Sequence, residues 1–191
     1  MNLTVFGGAF DPLHNGHVAI VDHILAVTDV DQLVVVPTGT PVYKTSTFFS
    51  WEKRWQMVNA VWGKNDRVYL SDYESRRQSP SYTIDSVTHF LKVYGVETMT
   101  LVVGFDQLYQ FHRWRRYADI LAVCHLLVVL REGIDHQRLL GCFPPELAPF
   151  KGRIRIHEWY PPAISSTRLR IMLHHQKPIH DYVPASILPY L

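Results

Sequence analysis

The chain has 191 residues, 47% of them hydrophobic and 19% charged, a balance that builds a core and excludes a disordered polymer. Its formal net charge of +2, with an isoelectric point near 8.5, is too slight to argue for nucleic acid or a membrane surface as partner. Cys124 and Cys142 form no CxxC pair, no apolar run nears the ~20 residues that span a bilayer, and MNLTVFGG lacks the regions of a signal peptide, so the expected location is the reducing cytoplasm.

In chain order, LTVF (Leu3 to Phe6) predicts a first strand and Gly16 to Ala26 a helix, followed by a strand over QLVVVP (Gln32 to Pro37). The segment from Ser50 to Trp62 carries Trp51, Trp55, Val58 and Trp62 on one helical face, with Ser50 as its cap. RVYLSD predicts a short strand. SYTIDSVTHFLKVYG sets Ile84, Val87, Leu91 and Tyr94 at helical spacing and stops at Gly95. TMTLVVG and CHLLVVLR are continuously apolar, as strands are when helices cover both faces of a parallel sheet. Gly133 to Gly152 reads as a proline-rich surface loop with a short helix. RIRIHEW alternates, which suits a strand near an edge. SSTRLRIMLHH and PASILPYL predict a closing pair of helices.

Strand–helix alternation over residues 1–191 predicts one α/β domain: a doubly wound, mostly parallel open sheet of Rossmann-like type with a small C-terminal helical segment. Ligands of such sheets lie beyond the carboxyl ends of the strands. GGAFDPLHNGHVAI, from Gly7 to Ile20, occupies that position after the first strand. Gly7 and Gly8 let backbone N–H groups approach an anion, and His14 and His17 flank the start of the following helix. The run is neither a Walker A loop nor a GxGxxG fingerprint. Two other readings stay open for it. Histidines at this spacing bind zinc in some proteins, although Asp11 and His23 complete no recognisable ligand set; or they cap the helix and pack.

ISSTRLR, from Ile164 to Arg170, supplies a second set of anion donors: Ser165, Ser166 and Thr167 at a helix start, with Arg170 one turn on. An ordinary Ser/Thr cap with an exposed arginine is the plainer reading of that segment alone. Two such cradles in one chain are less common than either by itself.

GxFDPxHxGH near the start with ISSTxxR near the end resembles the nucleotidyltransferase α/β-phosphodiesterase superfamily, and within it the bacterial nicotinate-nucleotide adenylyltransferase family. PTGTPVYK, SPSYTIDSV, VVGFDQLYQFHRW, ILAVCHLLVVLREG and DYVPASILPYL also have counterparts in order, so the resemblance runs through nearly the whole chain. It implies adenylyl transfer from ATP to nicotinate mononucleotide, giving nicotinate adenine dinucleotide and pyrophosphate by direct attack without a covalent intermediate. By the same resemblance, His14, His17 and Arg170 carry the chemistry. Gly7, Gly8, Ala9, Phe10, Gly104, Asp106, Arg131, Ser165 and Thr167 join them in binding ATP. Lys44, Ser81, Tyr82, Thr83 and Trp114 are implied for the mononucleotide, Trp114 by stacking and residues 81–83 through main-chain N–H groups. Mg²⁺ is the implied cofactor, held mainly through ATP phosphates because no Asp/Glu cluster presents itself; no protein metal site, nucleic acid or membrane is expected, and a homo-oligomer stays open. Tyr43 stands where the family usually has histidine in Pro-Pro-His-Lys, which removes a cation from that loop. Alternatives are a related enzyme acting on nicotinamide mononucleotide or phosphopantetheine, and a nucleotide-binding homologue without turnover.

Overall fold

Apolar and β-branched runs form β1 (Leu3–Gly8), β2 (Gln32–Pro37), β3 (Val68–Leu70), β4 (Met99–Gly104), β5 (Cys124–Val129) and β6 (Ile154–His157). They belong to a computed structural model that describes residues 1–41, 47–77, 80–130 and 143–191. The six strands make one sheet in the order β3-β2-β1-β4-β5-β6, and every pairing among the described residues is parallel. Val5 of β1 lies between Val34 of β2 and Leu101 of β4, which fixes the central register. β6 is an edge strand, as its alternating sequence suggested.

The period of two along each strand divides the core into two layers. Phe6, Leu33, Val35, Val102 and Val129 pack with α1 (Asn15–Val27), α2 (Trp51–Trp62) and the C-terminal Ala185–Tyr190 segment. Val5, Val34, Val36, Leu101, Val103, Leu126 and Val128 pack with α3 (Thr83–Tyr94) and α5 (Tyr117–Val123). Two buried faces explain why β4 and β5 read as continuous apolar runs. Cys124 is wholly buried in the second layer, where desolvation pushes its thiol up to about 12, so it is an inert core residue.

Helix ends follow their sequence signals. Ser50 caps α2 by accepting the Lys53 N–H at 3.4 Å. Gly95 ends α3 at φ +63, a left-handed conformation that favours glycine. Within α3, Ile84 and Val87 are buried as expected, but Phe90 takes the third inner position while Leu91 and Tyr94 are only partly covered. α4 (Phe105–Gln110) leads through a 3₁₀ turn at Phe111–Arg113 to α5, and α6 (Ser166–His174) follows β6.

Three expectations are adjusted. β1 continues two residues past Phe6, because Gly7 and Gly8 still pair with Val36 and Pro37. The segment Ala185–Tyr190 is 3₁₀ rather than α-helical, with Pro189 inside it unable to donate an α-type bond. Pro145–Arg153, at the end of the proline-rich loop, is also 3₁₀ and holds Pro149; residues 131–142 of that loop lie outside the described residues. No helix among the described residues is long and apolar enough to cross a membrane.

Candidate functional site

The strand order sets the place of the site. The chain builds β1, β2 and β3 outward in one direction, then returns to lay β4 against the other side of β1. The loops after β1 and β4 therefore leave in opposite directions and open a crevice between the ends of those strands. Gly8 ends β1, and Gly104 ends β4 and caps α4, which carries Asp106 in its first turn.

At the β1 side, His14 is the N-cap of α1 and is nearly buried, at 6% exposure. Its backbone N–H donates to Nδ1 of His17 at 3.3 Å, and the two rings stack with centroids 3.7 Å apart at 21°. Nδ1 of His17 accepts a hydrogen bond, so in the neutral ring the proton sits on Nε2, which is then a donor. The pair thus caps the helix at its positive end, where the helix dipole favours an anion. The ring of Phe10, a residue at φ +48 and 1% exposed, meets His17 edge to face at 5.0 Å.

The C-terminal motif folds directly onto this loop. Nη1 of Arg170 donates to the Asp11 carbonyl at 2.7 Å, Nη2 donates to Thr167 Oγ1 at 3.0 Å, and the Ser166 hydroxyl donates to the Pro12 carbonyl at 3.0 Å. Segments 159 positions apart thereby form one wall. The Ser165 hydroxyl accepts the Arg168 N–H at 3.2 Å, so its side chain serves as the cap of α6. That is the plainer role weighed for it, and it uses only the oxygen as acceptor, so the hydroxyl proton is still a donor.

Just before α3, the Ser81 N–H donates to the Thr40 carbonyl, in the turn after β2, at 2.9 Å, which removes it from the donors expected there. Neither Ser81 nor Thr83 caps α3; Tyr82 is the N-cap and Thr83 the first helical residue, so the first N–H groups of α3 have no partner within the helix. Trp114 is half-buried and stacks on Phe111 at 4.6 Å. The guanidinium of its neighbour Arg115 lies 4.6 Å over the Tyr82 ring, so the Trp114 loop and the start of α3 are adjacent. Lys44, Tyr43 and Arg131 lie outside the described residues.

Two charged side chains, Arg54 and Glu74, escaped the sequence reading, and a third, Asp11, was weighed there only as a metal ligand. Asp11, 2% exposed, accepts the Phe48 N–H at 2.9 Å and the Phe49 N–H at 2.8 Å, with Arg170 3.8 Å from its carboxylate. Arg54 is 1% exposed and donates to the carbonyls of Ala9 and Thr38, each at 2.8 Å. Glu74 accepts the Ser86 hydroxyl at 2.8 Å and the Gly39 N–H at 3.3 Å, and burial raises its carboxyl above the ordinary range. A charge at position 54, three residues after Trp51 on an apolar stripe, was the one available signal for Arg54. Among the described residues, no three His, Cys, Asp or Glu side chains gather as a metal cage.

A family model described as "Cytidylyltransferase-like" matches residues 5–172. A relative from Nitratiruptor sp., named probable nicotinate-nucleotide adenylyltransferase, is 33% identical over 172 residues, covering 90% of this chain and 88% of its own. One of the same name from Pectobacterium atrosepticum is 31% identical, covering 97% and 93%. Among solved structures, a Plasmodium falciparum nicotinic acid mononucleotide adenylyltransferase complexed with NaAD superposes with a TM-score of 0.78, covering 99% of this chain and 93% of that one. At 19% identity, that likeness speaks for the fold.

Proposed function

This chain belongs to the cytidylyltransferase-like family, with nicotinate-nucleotide adenylyltransferases as near full-length relatives, and from that premise we propose that it joins ATP to nicotinate mononucleotide. The products are nicotinate adenine dinucleotide and pyrophosphate, a step of NAD biosynthesis. The observation that carries the reading is the contact of Arg170 and Ser166 with Asp11 and Pro12, which gathers both motifs at the strand-order switch.

The attacking group is a phosphate monoester, anionic at neutral pH, so no strong base is needed. The chain has two tasks instead: to hold two polyanions in line, and to take up charge that grows on the phosphates as the bond to the leaving group stretches. His17 supplies Nε2–H, His14 and the start of α1 add positive potential, and Arg170 presents N–H donors held at a fixed angle by Asp11 and Thr167. Gly7, Gly8, Ala9 and Phe10 line the nucleotide path with main chain. Gly104 and Asp106 receive the adenosine, with the Asp106 carboxylate accepting from ribose hydroxyls. The early N–H groups of α3 at Tyr82 and Thr83 take the pyridine carboxylate while Trp114 covers the ring. Lys44 and Arg131 are assigned on the family resemblance alone.

The donors gathered here are imidazoles, a guanidinium and N–H groups, which suit anions and repel a free divalent cation. The carboxylate nearest to them, Asp11, already accepts two backbone N–H groups. Mg²⁺ would therefore be held by the ATP phosphates and water rather than by side chains of this chain, and would supply charge neutralisation there. The cysteine usage fits a cytoplasmic reaction.

Pyrophosphate release measured with Mg-ATP and, separately, nicotinate mononucleotide, nicotinamide mononucleotide and phosphopantetheine decides the matter. Turnover is expected with the nicotinate substrate, and His17→Ala should lose most of it while its circular dichroism stays that of the parent. Release with phosphopantetheine alone, or with no substrate, refutes the reading.

A further inference from the structure

Arg54 projects from the inner face of α2 into the space beneath the ends of β1 and β2. Arginine is almost never this buried unless its charge has partners. Here, among the described residues, its hydrogen bonds all go to carbonyl oxygens: Ala9 and Thr38 at 2.8 Å, and Gly39 at a longer 3.5 Å. Burial pulls its pKa down, and the charges of Asp11, Glu52 and Glu74 oppose that, so it stays a cation. One planar fork thereby ties the turn after β1 to the turn after β2. Both turns bound the crevice of the proposed site.

The Ala9 contact reaches the catalytic ring by a short path. In a trans peptide the C=O of one residue and the N–H of the next point in opposite directions. Drawing the Ala9 carbonyl inward thus turns the Phe10 N–H outward, toward the crevice. It also supports the left-handed φ of +48 at Phe10, a conformation bulky residues rarely adopt and keep only when surroundings enforce it. In that conformation the Phe10 ring turns into the core against Trp62 at 5.9 Å and Phe6 at 5.7 Å, and edge-on to His17 at 5.0 Å. Gly8 makes room for it: a Cβ there would lie 3.1 Å from the Phe10 ring.

We infer that Arg54 is a positioning residue for adenylyl transfer, acting through the Ala9 carbonyl and the Phe10 ring to hold the His17 imidazole at its working angle. The inference rests on the function proposed above. A buried cation bonded to neutral carbonyls is a poor stabiliser, because removing charge from water opposes the gain from its contacts. What it supplies is geometry: a fork that fixes three carbonyls at once, which neither lysine nor methionine reproduces.

Arg54→Lys, Phe10→Leu, His17→Ala and the double variant Arg54→Lys/His17→Ala decide it, each checked by its melting curve. Arg54→Lys is expected to lower kcat on the order of 100-fold, as misplacement by about 1 Å does, with the KM for nicotinate mononucleotide unchanged. Because Arg54 acts through His17, the double variant should be no slower than His17→Ala alone. Losses that multiply in the double variant overturn the inference, as does Arg54→Lys with parental kcat. Should Arg54→Lys not fold, Phe10→Leu takes its place in the same cycle with His17→Ala. A ligand-free readout separates this inference from the reaction itself: ¹⁵N-histidine spectra, with His17 assigned by its absence in His17→Ala. The parent should hold His17 as one tautomer, protonated on Nε2, and both Arg54→Lys and Phe10→Leu should mix the tautomers. Unchanged His17 shifts in both variants overturn the positioning role whatever the substrate proves to be. Absence of product from the parent refutes only the proposed reaction.

Discussion

Asp11→Asn tests the joint between the two motifs with almost no change of volume. The carboxylate is 2% exposed and gives one oxygen to each of two backbone donors, Oδ2 to Phe48 at 2.9 Å and Oδ1 to Phe49 at 2.8 Å. An amide has one carbonyl oxygen, so its NH₂ group must face one of those N–H groups and leave it unpaired. A hydrogen bond to a charged group contributes about 1.5–3 kcal/mol, and a buried unpaired donor costs about 1–3 kcal/mol. These overlap in part, and the loss of the opposite charge 3.8 Å from Arg170 adds a little, so about 3–4 kcal/mol is expected in all. At roughly 2–4 °C per kcal/mol for a domain of this size, Tm should fall by about 6–16 °C. The KM for ATP should rise as well, since the same residue seats the 48–49 turn and Arg170. Thermal unfolding followed by circular dichroism, alongside ATP saturation curves, gives both numbers. A Tm within about 2 °C of the parent would mean that water reaches the two donors, and the account of Asp11 as a dry joint would be wrong.

Gly16→Ala should cut kcat roughly tenfold, a barrier change of about 1.4 kcal/mol, because a Cβ there would lie 3.0 Å from His14 Nδ1 and 3.4 Å from the Pro162 carbonyl. Its Tm should hold, since alanine's helix propensity offsets the crowding; steady-state kinetics and a melt check both. Stability should also fall on acidification. His23 and His157 share an Nε2-to-Nε2 hydrogen bond that needs one neutral ring, and burial, then the charge of His157, hold His23 below the ordinary imidazole value. For a base so depressed the unfolded chain takes up the proton first, so its contribution is whole above about pH 6.5 and is lost as pH falls through the folded value. Melts from neutral to mildly acid pH should show that slope, and His157→Gln should make it shallower. Trp114→Ala should raise the KM for nicotinate mononucleotide roughly tenfold through loss of the aromatic face, with the KM for ATP unchanged in parallel titrations.

Elements whose causes are local were legible in the sequence. β2 has the bounds its apolar run gave, α2 starts after Ser50 because a serine there has an N–H to accept, and α3 stops at Gly95 because the next turn needs positive φ. The edge position of β6 followed from its alternation. The helix expected over PASILPYL is 3₁₀, since apolar spacing counted for less than Pro189. In the site, the paired imidazoles and the terminal arginine were readable as donors, and the fold brings both segments to one wall. Which atom each donor faces was not readable. Ser81 gives its N–H to Thr40 across a contact between loops, and the Ser165 hydroxyl oxygen accepts from its own helix. Asp11 sat in view inside the motif, but its partners at Phe48 and Phe49 are in another loop, and spacing along a chain carries no record of such neighbours.

Residues that hold the site therefore differ in kind from those that would touch phosphate, and Arg170 shows why both are needed. A guanidinium has five N–H donors. Nη1 of Arg170 is given to the Asp11 carbonyl and Nη2 to the Thr167 hydroxyl, with the carboxylate of Asp11 nearby at 3.8 Å rather than in a close fork. A tight bidentate pair would quench the cation and compete with the nucleotide; a free side chain would lose entropy when the nucleotide arrives. The intermediate arrangement avoids both costs. On the proposed reading the guanidinium is aimed in advance, keeps donors for a triphosphate, and balances its charge against an acid that is itself occupied by two backbone N–H groups. In the proposed reaction, transition-state charge would then meet dipoles already in place, with little left to reorganise.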